Sequence, residues 1–304
     1  MMTRGRTDLD LCLGTVQFGM DYGILNTPMP KIEQSIECLD YATQNGIRAI
    51  DTATAYGRAE EIVGEFLNKK TVNRNDLWIS TKFRPNTLDD VDPNDYKKVI
   101  KENIINSLTT LNTDYVDAYY LHSARYAFDS EILEALYSVK QEGYAREVGV
   151  SVYEPEEAFA CFESEFVDII QLPYSIFDHR MKDKGVFSAD NRCHIDSRSA
   201  FIQGLIMMTE NEVPVFLEKA KLILRRIEAI CKDTGLSRIE LAMAYVKRED
   251  AISHLVFGVD SIEQLKCDIE TYNNIDISSD LLDNIEKEFD GIEAEVVMPS
   301  LWKK

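Results

Sequence analysis

GIRAIDTATAYG (46–57), LWISTKF (77–83) and VDAYYLHSA (116–124) decide how this chain is read. Each opens as a short apolar run and stops on a side chain that moves or steers a proton: Asp51, Lys82 and His122. Tyr56 follows five residues after the first stop. Strands that deliver such residues in succession at their carboxyl ends are what a (β/α)8 barrel needs to build a site at its top face.

Outward from these three segments, the pattern repeats. Strand-like runs lie near 11–14, 47–51, 77–82, 115–121, 146–151, 167–171, 193–197 and 252–257. Helical patterns separate them at 31–45, 58–69, 93–111, 129–141, 155–162, 179–186 (weak), 214–233 with 237–248, 261–272 and 279–289. Strict alternation of this kind predicts an α/β fold, a parallel (β/α)8 TIM barrel with right-handed crossovers. One domain over 1–304 is expected, with active-site loops and the C-terminal tail at the top face. Boundary chemistry agrees with the pattern. Asp92-Pro93 sets a cap before a first-turn proline, and Ser237…Glu240 and Ser261…Gln264 read as capping boxes. Phe216, Ala220, Ile223, Ile227 and Ile230 form one apolar stripe. Two segments break the rhythm, 173–191 and 200–214, and long loops at barrel strand ends usually carry binding function.

Bulk composition narrows the partners. Against 33 basic residues stand 53 acidic ones, for a net charge of −20, which repels phosphate backbones and anionic bilayers. Nucleic acid and membrane are therefore not expected as partners. Apolar residues make up 45% of the chain, yet no run of membrane-spanning length occurs, and MMTRGRTDLDLCLG lacks the apolar core of a signal peptide. Six cysteines without a C-x-x-C pair read as reduced thiols of a cytoplasmic protein. The four histidines form no H-x-H or H-E-x-x-H, so no metal site is expected. His179 reads as a surface residue of a top-face loop.

The four residues at the strand ends suit one reaction. Tyrosine, with an ordinary pKa of about 10, keeps its proton at neutrality until an alkoxide needs it. A nearby ammonium, Lys82, would stabilise the tyrosinate and lower its pKa, and Asp51 would hold that lysine. His122 would orient the carbonyl oxygen. Singly, each residue is ordinarily a cap, a packing ring or a solvated charge; together they form a kit for delivering a proton while a hydride reaches the carbon.

At this point the chain resembles the aldo-keto reductase superfamily, from about residue 11 to about residue 270. LGTVQFG (13–19), GIRAIDTATAYGRAEEIVGEFL (46–67), ISTKF (79–83) and DYVDAYYLHSA (114–124) carry the likeness. The resemblance implies Tyr56 as proton donor, Lys82 and Asp51 as its tuning pair, and His122 as the orienting residue. It also implies a cofactor site. GVSVY (149–153) supplies Ser151 for the nicotinamide amide, with Val152 where the family has asparagine; VDIIQLPYS (167–175) supplies Gln171. In SRSAFIQGL (197–205), Arg198 takes the place of a stacking aromatic, and Ser199 and Gln203 would meet the pyrophosphate. After the eighth strand the family commonly holds a 2′-phosphate with a basic residue; here the matching positions are Gly258 and Gln264, near Ser261, Asp260 and Asp268. NADPH is the family habit, and NADH is the alternative that these acids favour.

The expected substrate is a small-molecule carbonyl, polyhydroxylated or sugar-derived, lined by Gln17, Phe18, Tyr22, Phe83, Tyr126, Tyr153, Tyr174 and Trp302. The alternative readings are a dehydrogenase running mainly in the oxidative direction on a sugar or alcohol, and a non-catalytic NAD(P)H-sensing subunit. Oligomeric state is not legible.

Overall fold

Eight of the apolar runs become the staves of a closed cylinder. A computed structural model describes residues 10–302; the N-terminal MMTRGRTDL and the last two residues of MPSLWKK lie outside the described residues. The strands are β1 (Asp10–Gly14), β2 (Ala49–Asp51), β3 (Trp78–Phe83), β4 (Val116–Leu121), β5 (Ala145–Ser151), β6 (Ile169–Pro173), β7 (His194–Arg198) and β8 (His254–Gly258). They pair in sequence order, each parallel to the next, and β8 closes on β1. Helices cover the outside, so the strands are buried on both faces and need no polar alternation. The (β/α)8 barrel expected from the alternation is the architecture observed.

Register sets the level of the site. Gly14 pairs with Asp51, Asp51 with Ser80, and Ser151 with Gln171, so the carboxyl ends form one rim. Caps read from sequence are in place: the Ser237 and Ser261 hydroxyls accept from the Glu240 and Gln264 amides. Two helical readings shift. The 179–186 pattern yields only one turn, Arg180–Asp183, because Gly185 adopts φ +78 and ends it. The 214–233 helix starts at Ala220 after a short turn at Val215–Leu217, which leaves Phe216 half-exposed while Ala220, Ile223 and Ile227 face inward.

Two further features frame the rim. The loop after β7 holds Ser199, Ile202, Gln203 and Gly204 at φ 66, 48, 53 and 90. Left-handed backbone at non-glycine residues costs about 1–3 kcal/mol each and persists only where surroundings over-determine it. Here the Gln203 carbonyl accepts from the Ile24 amide at 3.2 Å, tying this loop to the one after β1. Deeper in the barrel, Tyr120 donates to Asp196 at 2.7 Å and His254 Nδ1 meets the other Asp196 oxygen at 2.8 Å. Burial is the largest single influence on His254 and pulls it toward neutrality, but the charge and hydrogen bond of Asp196, with the charges of Asp10 and Glu147, together outweigh it and raise the imidazole's pKa.

Candidate active site

Asp51 ends β2, Lys82 lies in β3 and His122 follows β4, so adjacent strands carry the three side chains to one point. Lys82 Nζ donates to both Asp51 carboxylate oxygens at 2.6 Å and to the Thr52 carbonyl at 3.0 Å. The pair is buried, and the Ser80 hydroxyl (2.8 Å) and Gln171 Nε2 (2.9 Å) also donate to Asp51 Oδ1. A buried ion pair survives only when such extra bonds satisfy its remaining lone pairs. Tyr56 sits on the turn after β2, its ring centroid 5.1 Å from Lys82 Nζ. The His122 ring meets the Tyr56 ring edge-on, centroids 5.7 Å apart.

That turn is fixed by two interlocked glycines. A Cβ on Gly19 would fall 1.8 Å from the Tyr56 carbonyl oxygen, and one on Gly57, at φ +56, would fall 2.2 Å from the Gly19 carbonyl oxygen. Only hydrogen fits in either place.

Electrostatics depart from expectation at the phenol. Burial first, then the Asp51 charge, push the Tyr56 pKa above its ordinary value, with Arg198 pulling the other way. The ammonium of Lys82 is paired at 2.6 Å with both Asp51 oxygens, so the pair presents little net positive charge to the phenol. Burial, with help from Lys82 and Arg198, lowers the His122 pKa to about 3, so the imidazole is neutral. Its Nδ1 is buried without a hydrogen-bond partner.

A cavity of about 660 Å³ opens over this cluster at the carboxyl ends of the strands. Asp51, Tyr56, His122, Ser151, Gln171, Arg198, Ser199, Gln203, Gly258, Gln264 and Asp268 all contribute to its wall, as do Gln17, Tyr22 and Tyr153. Lys82 lies beneath it, fully buried. Ser261 is off the wall, capping the helix Ile262–Asn274. Gln171 reaches the wall while its Nε2 donates to Asp51. The guanidinium of Arg198 lies 4.3 Å over the Tyr153 ring and donates to the Val152 carbonyl at 3.0 Å. Thus Val152, in the asparagine position, contributes through its backbone.

Several expected substrate contacts are elsewhere. Phe18 and Phe83 are fully buried in the core. Neighbouring strand residues point to opposite faces, so an inward Lys82 turns Phe83 outward. Tyr126 donates to Asp89 at 2.6 Å, away from the cavity. Tyr174 packs between Phe187 and Tyr245, and Trp302 rests against Phe216 with ring centroids 6.3 Å apart. His179 is not a surface residue: it is buried, and its ring Nε2 is 2.7 Å from the Ile176 carbonyl. It lies near Asp183 and Glu286, but Glu286 is already bound to Lys182 and Arg248.

The cavity suits an elongated polar ligand. Its wall brings Tyr56 and His122 together with Gly258, Asp260, Gln264 and Asp268. Along it, His122 Nδ1, Gln203 Oε1 and Asp268 Oδ2 are buried polar atoms with no hydrogen-bond partner, which a dinucleotide's donors and acceptors would satisfy. Among the described residues no helix is long and apolar enough to cross a membrane.

An uncharacterized oxidoreductase of Bacillus subtilis, YqkF, is 29% identical over 88% of this chain and 90% of its own length. The NADH-specific methylglyoxal reductase of Escherichia coli is 27% identical over 78% of this chain and 82% of its own. Among solved structures, the holo form of an aldo-keto reductase from Bacillus halodurans superposes with a TM-score of 0.73 at 24% identity, covering 91% of each chain. The sequence model described as the Aldo/keto reductase family matches residues 10–288, and the chain belongs to that family of NAD(P)-dependent oxidoreductases that reduce carbonyl groups.

Proposed function

We propose that this chain reduces an aldehyde or ketone to an alcohol, with Tyr56 giving the proton to the carbonyl oxygen. What supports the reading is one cluster: Lys82 Nζ 2.6 Å from both Asp51 oxygens and 5.1 Å from the Tyr56 ring centroid, with His122 edge-on to that ring at 5.7 Å. A nicotinamide bound in the cavity supplies the hydride. The protein's own part is proton handling. Tyr56, buried beside Asp51, holds its proton tightly until a more basic oxyanion develops next to it. Lys82 then faces the tyrosinate as a fixed ammonium, and Asp51 keeps it in place. Neutral His122 offers a hydrogen bond that orients the carbonyl without competing as an acid.

NADH fits this cavity better than NADPH. In support, the wall at Gly258, Asp260, Gln264 and Asp268 carries no basic side chain to meet a 2′-phosphate. The NADH-specific relative of Escherichia coli points the same way. For the substrate we favour a small polyhydroxylated or sugar-derived carbonyl, since Tyr22 and Tyr153 offer faces and hydroxyls together beside Gln17. Fluorescence titration with NADH and NADPH, followed by loss of NADH absorbance with a panel of aldehydes and keto-sugars, tests the proposal. Tight nucleotide binding with no oxidation by any carbonyl would end it and favour a nucleotide-sensing role.

A further inference from the structure

Arg198 is the one cavity-lining residue, among those described, with a permanent positive charge. Charged or titratable groups elsewhere on the wall are acids, phenols or the neutral His122. Asp51 is neutralised by Lys82, Glu212 is held by Thr209, and Asp260 and Asp268 also line the wall without forming an ion pair to Arg198. Arg198 itself has no carboxylate partner among the described residues. Its bonds go to neutral oxygens, the Val152 carbonyl at 3.0 Å and the Ser199 hydroxyl at 3.3 Å, which leave most of the guanidinium's N–H donors uncommitted. The Tyr153 ring, 4.3 Å away, supports one face and fixes the plane.

Its position is at the reacting end. Arg198 closes β7, its anchor Val152 directly follows Ser151, and its charge is felt at Tyr56, Tyr22 and His122. A half-buried guanidinium without a counter-charge, beside a proton donor, is an anion site awaiting its anion. The chain's net charge of −20 cannot supply that attraction, so a negative substrate must find it locally.

We propose that Arg198 selects carbonyl substrates that also carry an anionic group, a carboxylate or a phosphate, and seats that group while Tyr56 faces the carbonyl oxygen. This rests on the reductase reading above and narrows it. It also gives Arg198 a task other than stacking on a cofactor ring. Polyhydroxylated substrates remain in scope, with an acid or phosphate ester among their substituents.

The test uses matched pairs at saturating NADH: succinic semialdehyde against butanal, and glyceraldehyde 3-phosphate against glyceraldehyde. In the wild type, kcat/KM for the charged member exceeds that for its neutral partner by about tenfold or more, the worth of one charge-assisted bond. Arg198→Gln collapses that ratio toward one, and Arg198→Lys retains part of it. Reading the ratio removes any effect of the substitution on nucleotide binding, and whichever pair shows the larger ratio identifies carboxylate or phosphate. Neutral aldehydes turned over with no gain from charge, or a ratio unmoved in Arg198→Gln, overturns the assignment and leaves the reductase reading standing. No turnover of any of the four overturns both.

Discussion

Tyr56 and His122 both stay uncharged across the working range, one because its pKa is pushed up and the other because it falls to about 3. Reduction therefore needs no ionisation at the site, and kcat for carbonyl reduction should be flat between about pH 6 and about pH 9. A stopped-flow pH series checks it; a break near neutrality would mean that another group carries the proton. If Tyr56 gives the proton as proposed, Tyr56→Phe removes only that donor, so kcat should fall by at least about a hundredfold while NADH affinity, read by fluorescence, holds. Asp268 behaves in the opposite way, because its pKa of about 7 lies inside the range. Unfolded aspartate titrates near about 3.9, so the folded chain binds the extra proton between these values. The stabilisation from burying the neutral acid is full below about pH 4 and is lost as pH rises through about 7. Asp268→Asn cannot titrate. Its stability relative to wild type should improve by about 2–3 kcal/mol between pH 5 and pH 8, measured by denaturant unfolding.

Among the elements, the turn after β2 tolerates the least. Gly19→Ala would drive a methyl into the Tyr56 carbonyl and the Ala59 amide, which lie 1.8 and 2.5 Å from the added carbon. Backbone must shift, and Tyr56 moves with it. A loss of about 1–3 kcal/mol in thermal stability, together with a fall in kcat, is expected. The end of β8 is the reverse case. A Cβ on Gly258 meets nothing closer than the Gly14 carbonyl oxygen at 3.8 Å, so a side chain fits there. Gly258→Lys puts an ammonium on the wall and should tighten NADPH relative to NADH by about tenfold in side-by-side titrations. Gln264 is the poorer position for that charge, since its Oε1 accepts from the Asp260 amide at 2.8 Å.

For the molecule as a whole, the barrel was legible because parallel strands buried on both faces leave continuous apolar runs, and helices between them leave a different period. Asp51, Lys82 and His122 stood out because each broke such a run at its carboxyl end, and Tyr56 because it follows the first break by five residues. Side-chain direction was the weaker reading. Phe83 could have been excluded by alternation from Lys82 alone, whereas Phe18 lies in the short helix Val16–Gly19, where no strand alternation applies. No local pattern announces that Tyr126 turns to Asp89, that Arg198 lies over Tyr153, or that Tyr120, Asp196 and His254 meet inside the barrel. Those contacts join residues far apart in sequence, and only closure of the cylinder brings them together.

The amide of Ile24 and the carbonyl of Gln203 make the mouth a hoop rather than an open trough. If a bound nucleotide passes beneath this bond, entry and departure both require the two loops to part, against a loop already bent away from its preferred backbone. Release would then share control of turnover with chemistry.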